Sequence, residues 1–172
     1  MVLRASVVLA ALLASLVPAG GGSSAPTPAC AGSQLAGAFT VIPGSAGAGN
    51  IVYALRVRHV SGPACFVSGL PALRLLDRLR RPLPTKVTPA FRQGLMAVRV
   101  VLAPGRSARA TARFSPDVPG PGEPQDGNLC ERRSYYLRAT LPPGRATFLG
   151  PVRPATPVCE HGSLSVSALS PA

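Results

Sequence analysis

The sequence is poor in acidic residues, histidine and tryptophan, and each shortage weighs against a class of function. Six aspartates and glutamates stand against eighteen basic residues, and there are only two histidines. A hydrolase usually needs a convergent acid–base pair, and the Gly-x-Ser-x-Gly motif of α/β-hydrolases is also missing. The absence of tryptophan and an aromatic content of 5% leave few side chains for stacking on bases or sugars. We therefore predict a protein that is not an enzyme, needs no cofactor and has no nucleic-acid partner.

Residues 49–71 contain the strand signal around which the rest of the chain is arranged. A Gly-Asn turn leads into residues 51–60, where hydrophobic residues alternate with Arg56 and Arg58. This alternation predicts a strand with one buried and one solvated face. A Ser-Gly-Pro turn and Cys65 follow, so a disulfide could hold the returning chain in place.

The rest of the chain predicts more short strands. Eighteen glycines and twenty prolines favour a turn-rich chain over long helices. Residues 95–102 and 108–114 alternate on either side of a Pro-Gly loop and predict a hairpin, whereas residues 115–128 predict a mobile surface loop. We expect an Ig-like antiparallel β-sandwich of about seven strands. The further strand candidates are residues 34–42, 72–77, 135–141, 146–149 and 164–168.

The N-terminus has the three parts of a secretory signal. Arg4 precedes an apolar run over residues 5–17, and Val-Pro-Ala at 17–19 is a small-residue cleavage site. The run is too short for a comfortable membrane span, which takes about 20 residues. We predict a signal peptide at 1–19, a flexible tether at 20–29 and one domain at 30–172, located outside the cell or on its envelope. Retention as an anchor, or a lipid on Cys30, remain as alternatives.

Four cysteines in an exported chain predict two disulfides. Three pairings are possible, and we favour Cys30–Cys65 with Cys130–Cys159 because each joins segments that flank neighbouring strand candidates. A metal site built from Cys130, Cys159 and the two histidines would need thiolates, which an oxidising compartment removes. We therefore predict no metal site, and we keep a small metal-handling or redox protein as the alternative function.

A set of short motifs supports a family resemblance. The ordered set resembles the exported actinobacterial domain of unknown function 4232 over about residues 30–166. The resemblance implies a secreted or envelope-attached β-sandwich with paired cysteines, and it implies no catalytic residues. Two features depart from the family pattern: His-Val-Ser at 59–61 replaces the usual Asn-Ser, and the 115–128 loop looks long. The motifs are Cys30, Gly49-Asn50, Tyr53-Ala54-Leu55, Ser61, Cys65, Ser68-Gly69-Leu70-Pro71, Leu75-Leu76-Asp77, Leu102-Ala103-Pro104-Gly105-Arg106-Ser107-Ala108, Cys130, Val158-Cys159 and Gly162.

The strongest binding signal is basic charge. The formal net charge is +12, carried by seventeen arginines and one lysine. Arginines on the outward side of strand candidates predict a surface for an anionic polymer or for lipid headgroups at the cell envelope. The alternative is a set of merely solvated strand faces. The predicted anion-binding surface consists of Arg56, Arg58, Arg99, Arg109, Arg113 and Arg138.

Overall fold

The computed structural model describes residues 26–91, 98–124, 130 and 132–172. Every regular element longer than a 3₁₀ turn in these residues is a strand, so the all-β prediction is confirmed. Nowhere in them is there a helix long and apolar enough to cross a membrane. The strands are β1 (Leu35–Val41), β2 (Ile51–His59), β3 (Cys65–Val67), β4 (Ala72–Leu76), β5 (Lys86–Pro89), β6 (Val100–Leu102), β7 (Ser107–Phe114), β8 (Ser134–Leu141), β9 (Ala146–Thr156), β10 (Ser163–Val166) and β11 (Ser170–Pro171).

Nine of these strands form one sheet, in the order β4-β8-β9-β1-β2-β7-β10-β5 with β11 added to β7. The sheet is nearly closed, because the chain leading into β5 bonds back to β4. The N–H of Leu83 donates to the carbonyl of Leu75 (2.9 Å), and the N–H of Leu75 donates to the Thr85 hydroxyl (3.0 Å). The predicted seven-strand Ig-like sandwich is therefore wrong: one sheet curls around its own core.

Not all of the pairing is antiparallel either. Strands β1 and β9 pair in parallel, and so do β5 and β10. Side-chain alternation does not reveal these pairs, because it reports which face is buried and not which strand lies alongside.

The predicted hairpin between residues 95–102 and 108–114 is also wrong. Strand β6 pairs with β3, with Leu102 opposite Cys65, whereas β7 pairs with β2. The loop between them instead bonds to the end of β2: the N–H of Gly105 donates to the His59 carbonyl, and the N–H of His59 donates to the Arg106 carbonyl. The first part of the predicted strand, residues 92–97, lies outside the described residues.

The core is built from the inward residues of the large sheet, together with buried residues of the separate β3–β6 sheet such as Val67 and Leu102. Phe39 of β1, Tyr53 of β2 and Phe114 of β7 are each at most 3% exposed. Ring centroids lie 4.8 Å apart for Phe39 and Tyr53, and 5.3 Å apart for Tyr53 and Phe114. Aromatic pairs at such separations contribute about 0.5–1.5 kcal/mol beyond burial. Outward side chains on the same strands are thus held on a rigid support.

Both predicted disulfides are confirmed. Cys30 bonds to Cys65 on β3, and Cys130 bonds to Cys159 in the turn before β10. The predicted signal peptide and residues 20–25 of the predicted tether lie outside the described residues. The end of the tether belongs to the fold, because the N–H of Phe66 donates to the Pro28 carbonyl and Ala29 forms a bridge with Phe66.

Candidate anion-binding surface

The outer face of β2 and β7 carries four of the six predicted arginines. Burial alternates along both strands, so Arg56, Arg58, Arg109 and Arg113 are exposed while the residues between them face the core. Strands β2 and β7 are antiparallel neighbours. The alternation that defined these residues in the sequence therefore places all four on one continuous surface.

Within this surface, two like charges face each other directly. Arg56 lies opposite Arg109 in the β2–β7 register. Directly opposite residues have Cβ atoms about 4.5–5.5 Å apart, and like charges at such positions destabilise the pair of strands. The three ion pairs among the described residues all lie elsewhere, so no described carboxylate neutralises the two arginines.

Two more arginines join this surface. Arg106 lines a shallow cavity of about 380 Å³ together with Arg56 and Arg58. Arg153 of β9 lines a second one with the same two residues, from the far side of β1. The arginine face, as defined here, consists of Arg56, Arg58, Arg106, Arg109, Arg113 and Arg153, all exposed.

Sequence reasoning missed both additions for identifiable reasons. Arg106 sits in a turn, where no alternation marks its direction. Arg153 lies between Pro151 and Pro154, and prolines argue against a central strand. The predicted run therefore stopped at residue 149, whereas β9 continues to Thr156.

The other two predicted arginines lie apart from the arginine face. The Arg99 guanidinium sits 3.9 Å from the centre of the Phe66 ring and donates to the Thr27 carbonyl (2.7 Å). It therefore helps to attach the N-terminal segment to β3. Arg138 of β8 lies opposite Arg74 of β4, which makes a second opposed arginine pair in the same sheet.

One buried carboxylate, Asp77, is occupied by its own loop after β4. It accepts the N–H groups of Leu79 and Arg81, both at 2.8 Å. The guanidinium of Arg81 lies 3.7 Å from it and that of Arg132 lies 3.4 Å from it. Burial raises the pKa of Asp77, but the backbone donors and the two arginines together lower the pKa by more, so the net shift is downward. Asp77 thus organises the turn after β4 and is held in its ionised form.

A second buried carboxylate, Glu123, connects two loops. Its oxygens accept the N–H groups of Gly120 (2.6 Å), Glu160 (2.8 Å) and His161 (2.7 Å). Residues 160–162 all have positive φ, which lets successive N–H groups point toward one anion. The described part of the predicted 115–128 surface loop is therefore anchored by a buried side chain, and residues 125–128 lie outside the described chain.

The environment of Glu123 also makes it sensitive to acid. Burial raises the pKa of the carboxyl, but the three backbone donors and the nearby His161 ring lower the pKa by more, so the net shift is downward from 4.5. Because the folded-state pKa lies below the unfolded value, the stabilisation is present above about pH 4.5 and is lost as pH falls through the folded-state pKa.

The residues weighed as metal ligands are only partly brought together. Ligand atoms of Glu123, Cys130 and Cys159 lie within 4.8 Å of one another, but the two sulfurs are bonded to each other. His161 contacts the same carboxylate, with Nδ1 at 3.4 Å. His59 is buried near the other end of β2. It lies about six residues, or about 20 Å, along the strand from Tyr53, which lines a cavity together with Cys159.

This cavity, of about 450 Å³, lies beside Cys159. Tyr53, Asp117 and Arg133 line it together with three prolines and Cys159. The Tyr53 hydroxyl donates to the Pro154 carbonyl (3.1 Å), and burial raises the pKa of this phenol. One carboxylate and one guanidinium balance each other there, so the cavity does not extend the basic surface.

The fold and the surface define a disulfide-bonded all-β domain with an arginine face whose Arg56–Arg109 pair has no ion pair to a described carboxylate. The family profile described as "Domain of unknown function (DUF4232)" matches residues 30–170, and the chain belongs to this family. Comparison with curated proteins and with solved structures finds no match.

Proposed function

We propose that this protein is an exported, non-catalytic module whose arginine face binds an anionic component of the cell envelope. The observation that carries the proposal is the grouping of charges: Arg56 and Arg109 lie opposite each other without an ion pair to a described acidic residue, and Arg58, Arg106 and Arg153 lie on the same face. Unfavourable local arrangements tend to occur where function requires them. A bound anion would supply the negative charge that the described acidic residues do not provide there.

Export is supported by the covalent structure and by the N-terminal sequence. Two disulfides and the absence of a free cysteine among the described residues suit an oxidising compartment. The charged, apolar and small-residue parts of residues 1–19 fit a secretory signal. An anionic partner outside the cytoplasm would be a polymer or a lipid surface of the envelope.

The non-catalytic part is supported by where the acidic residues are used. Asp77 and Glu123 both accept backbone N–H groups and have lowered pKa values, which disfavours a role as proton donor near neutral pH. The His161 ring approaches Glu123 and also lies 3.0 Å from the Pro121 carbonyl. Both contacts attach the turn at His161 to the loop that contains Pro121 and Glu123.

The test compares two opposed arginine pairs from the same sheet. We would titrate the protein with long-chain inorganic polyphosphate at several salt concentrations. Each phosphate contact contributes about −0.7 to −0.9 to the slope of log K against log salt, by analogy with nucleic acids. R56Q/R109Q removes two such contacts, so it should lower the affinity and reduce the magnitude of the slope by about 1.4–1.8. R74Q/R138Q removes the same charge from a similar pair on β4 and β8 and is the matched control.

Equal losses in the two double variants would mean that net charge, and not the arginine face, drives binding. Salt-insensitive binding, or no binding at low salt, would refute the proposal. The thermal midpoint of each variant serves as the folding control.

A metal-handling or redox protein is the second candidate, and one observation favours it. The Glu123 carboxylate lies within 4.8 Å of both sulfurs of the Cys130–Cys159 pair. Reduction would place two thiols beside a carboxylate, a set that zinc can bind. Thiol titration and metal analysis of protein purified from its natural compartment test this candidate. Free thiols with stoichiometric metal would favour it, and four oxidised cysteines without metal would count against it.

A further inference from the structure

The outer surface of β1 forms a shallow trough between arginines. The outward side chains of this strand include only Ala36 and Ala38 next to Arg56 and Arg58 of β2, because Ala36 lies opposite Arg58 and Ala38 lies opposite Arg56. On the other side, β9 contributes Arg153. Short side chains between long ones leave a groove of about 340 Å³ with an alanine and proline floor.

Two glycines allow the strands beneath the trough to pack closely. A Cβ atom on Gly150 of β9 would clash with the Gly37 carbonyl oxygen, so the two strands approach more closely than a side chain there would permit. A Cβ atom on Gly37 would lie 2.6 Å from the carbonyl oxygen of Arg56. The backbone of β1 is thus tightly fitted between β2 and β9.

The charges along the trough have a defined interval. Arg56 and Arg58 are two residues apart on one strand, which corresponds to about 6.5–7 Å along β2. Arg153 stands on the opposite side of the groove. No acidic residue is among the described residues that line it. The surface is therefore complementary to negative charges that repeat at that interval, separated by uncharged segments that can contact the apolar floor.

We infer that the trough binds an extended polymer of short polyol units joined by phosphodiesters, running along β1. This inference rests on the proposed function and narrows it to one ligand class. Phosphates pair with the arginines on the two sides, and the carbon segments between them lie over Ala36 and Ala38. Inorganic polyphosphate, which lacks carbon segments, contacts the arginines but gains nothing from the floor.

The test fills the trough without changing charge. A36L/A38L places two branched side chains on the floor, and A72L is the matched control because Ala72 is exposed on β4 near Arg74 and Arg138. Binding of a synthetic poly(glycerol phosphate) oligomer is measured by calorimetry. We expect A36L/A38L to weaken binding about tenfold or more, since it displaces the chain from contact with the floor, and A72L to have no effect.

A second variant keeps the inference testable if A36L/A38L does not fold. R153Q removes the charge on the β9 side of the trough and should also weaken binding to the oligomer. R145Q, in the turn before β9, removes an equal charge at an exposed residue outside the trough and should not.

The outcomes separate this inference from the proposed function. If R56Q/R109Q loses the oligomer while A36L/A38L and R153Q bind like wild type, the arginine face binds anions but the trough does not hold the chain. If R56Q/R109Q binds like wild type, the proposed function fails as well. Binding to phosphatidylglycerol vesicles without binding to the oligomer would overturn the polymer in favour of a membrane surface.

Discussion

Reversing one charge of the opposed arginine pair should stabilise the fold while abolishing binding. In R56E, a carboxylate replaces the guanidinium opposite Arg109. The repulsion between two like charges is removed and an attraction is created. Cross-strand charge pairs are each worth about 0.2–1 kcal/mol, so the two changes together should raise the free energy of unfolding by about 1 kcal/mol.

The assay is thermal unfolding at low salt. For a domain of this size, about 1 kcal/mol corresponds to a rise in midpoint of roughly 3 °C. The gain should shrink at high salt, because surface charges are screened beyond a Debye length of about 3 Å at 1 M. R113E is the matched control: it makes the same charge change, but Arg113 lies opposite Val52 and Ser165, so no facing arginine is relieved.

A double variant in which both charges are reversed completes the test. R56E/R109E restores two like charges, now negative, and should lose the stability that R56E gained. If R56E is no more stable than R113E, or if the double variant keeps the gain, the two side chains do not interact and the argument from local repulsion is wrong. All of these variants should lose affinity for polyanions, which would separate stability from binding.

Three further predictions concern the stability of the fold that supports the arginine face. E123Q should lower the midpoint near pH 7, since it removes a buried carboxylate bound by three N–H donors, and should flatten the fall in midpoint that the wild type shows as pH drops below about 4.5; an unchanged profile would contradict this role. C30S/C65S should unfold at clearly lower denaturant, because closing a loop with a sequence separation of 35 contributes about 3.8 kcal/mol in the chain-entropy treatment; an unchanged midpoint in urea would refute the estimate. G150A should be destabilised by about 1–3 kcal/mol through a clash with β1, whereas G47A, where nothing lies within 4 Å, should be tolerated; urea unfolding of both compares them, and equal effects would contradict the close packing.

Local patterns in the sequence predicted the strands well. Hydrophobic residues alternate with Arg56 and Arg58 in residues 51–60, and β2 spans Ile51–His59 with the expected face buried. The same alternation on β7 correctly gave the outward direction of Arg109 and Arg113. Both disulfides were also predictable, since each joins segments that flank neighbouring strands.

Strand partners could not be read in the same way. Strands β6 and β7 alternate around a turn as a hairpin would, yet Leu102 of β6 pairs with Cys65 of β3 in a separate two-stranded sheet. Alternation fixes which face of a strand is buried and leaves the identity of its neighbour open. The short strand β5 and the parallel β1–β9 pair depend on contacts between segments distant in sequence, which no local pattern reveals.

The candidate site was predictable to the same extent. Four of the six predicted arginines lie together because they occupy outward positions on neighbouring strands. The predicted Arg99 instead stacks on Phe66. Arg153, which was not predicted, belongs to the arginine face and lies on β9, on the far side of β1 from Arg56 and Arg58. The trough itself arises from the order β9-β1-β2 in the sheet. That order comes from tertiary packing, so the small residues of β1 give no signal of a groove until their neighbours are known.

The most direct test of the account is to map which arginines a polyanion covers. The protein would be labelled with an arginine-specific dicarbonyl reagent, with and without poly(glycerol phosphate), and peptides compared by mass spectrometry. We expect the polymer to protect Arg56, Arg58, Arg109 and Arg153, and to leave Arg74 and Arg138 labelled equally in both samples. Equal protection of the two opposed pairs, or protection of the β4–β8 pair alone, would contradict the claim that the arginine face is the binding site.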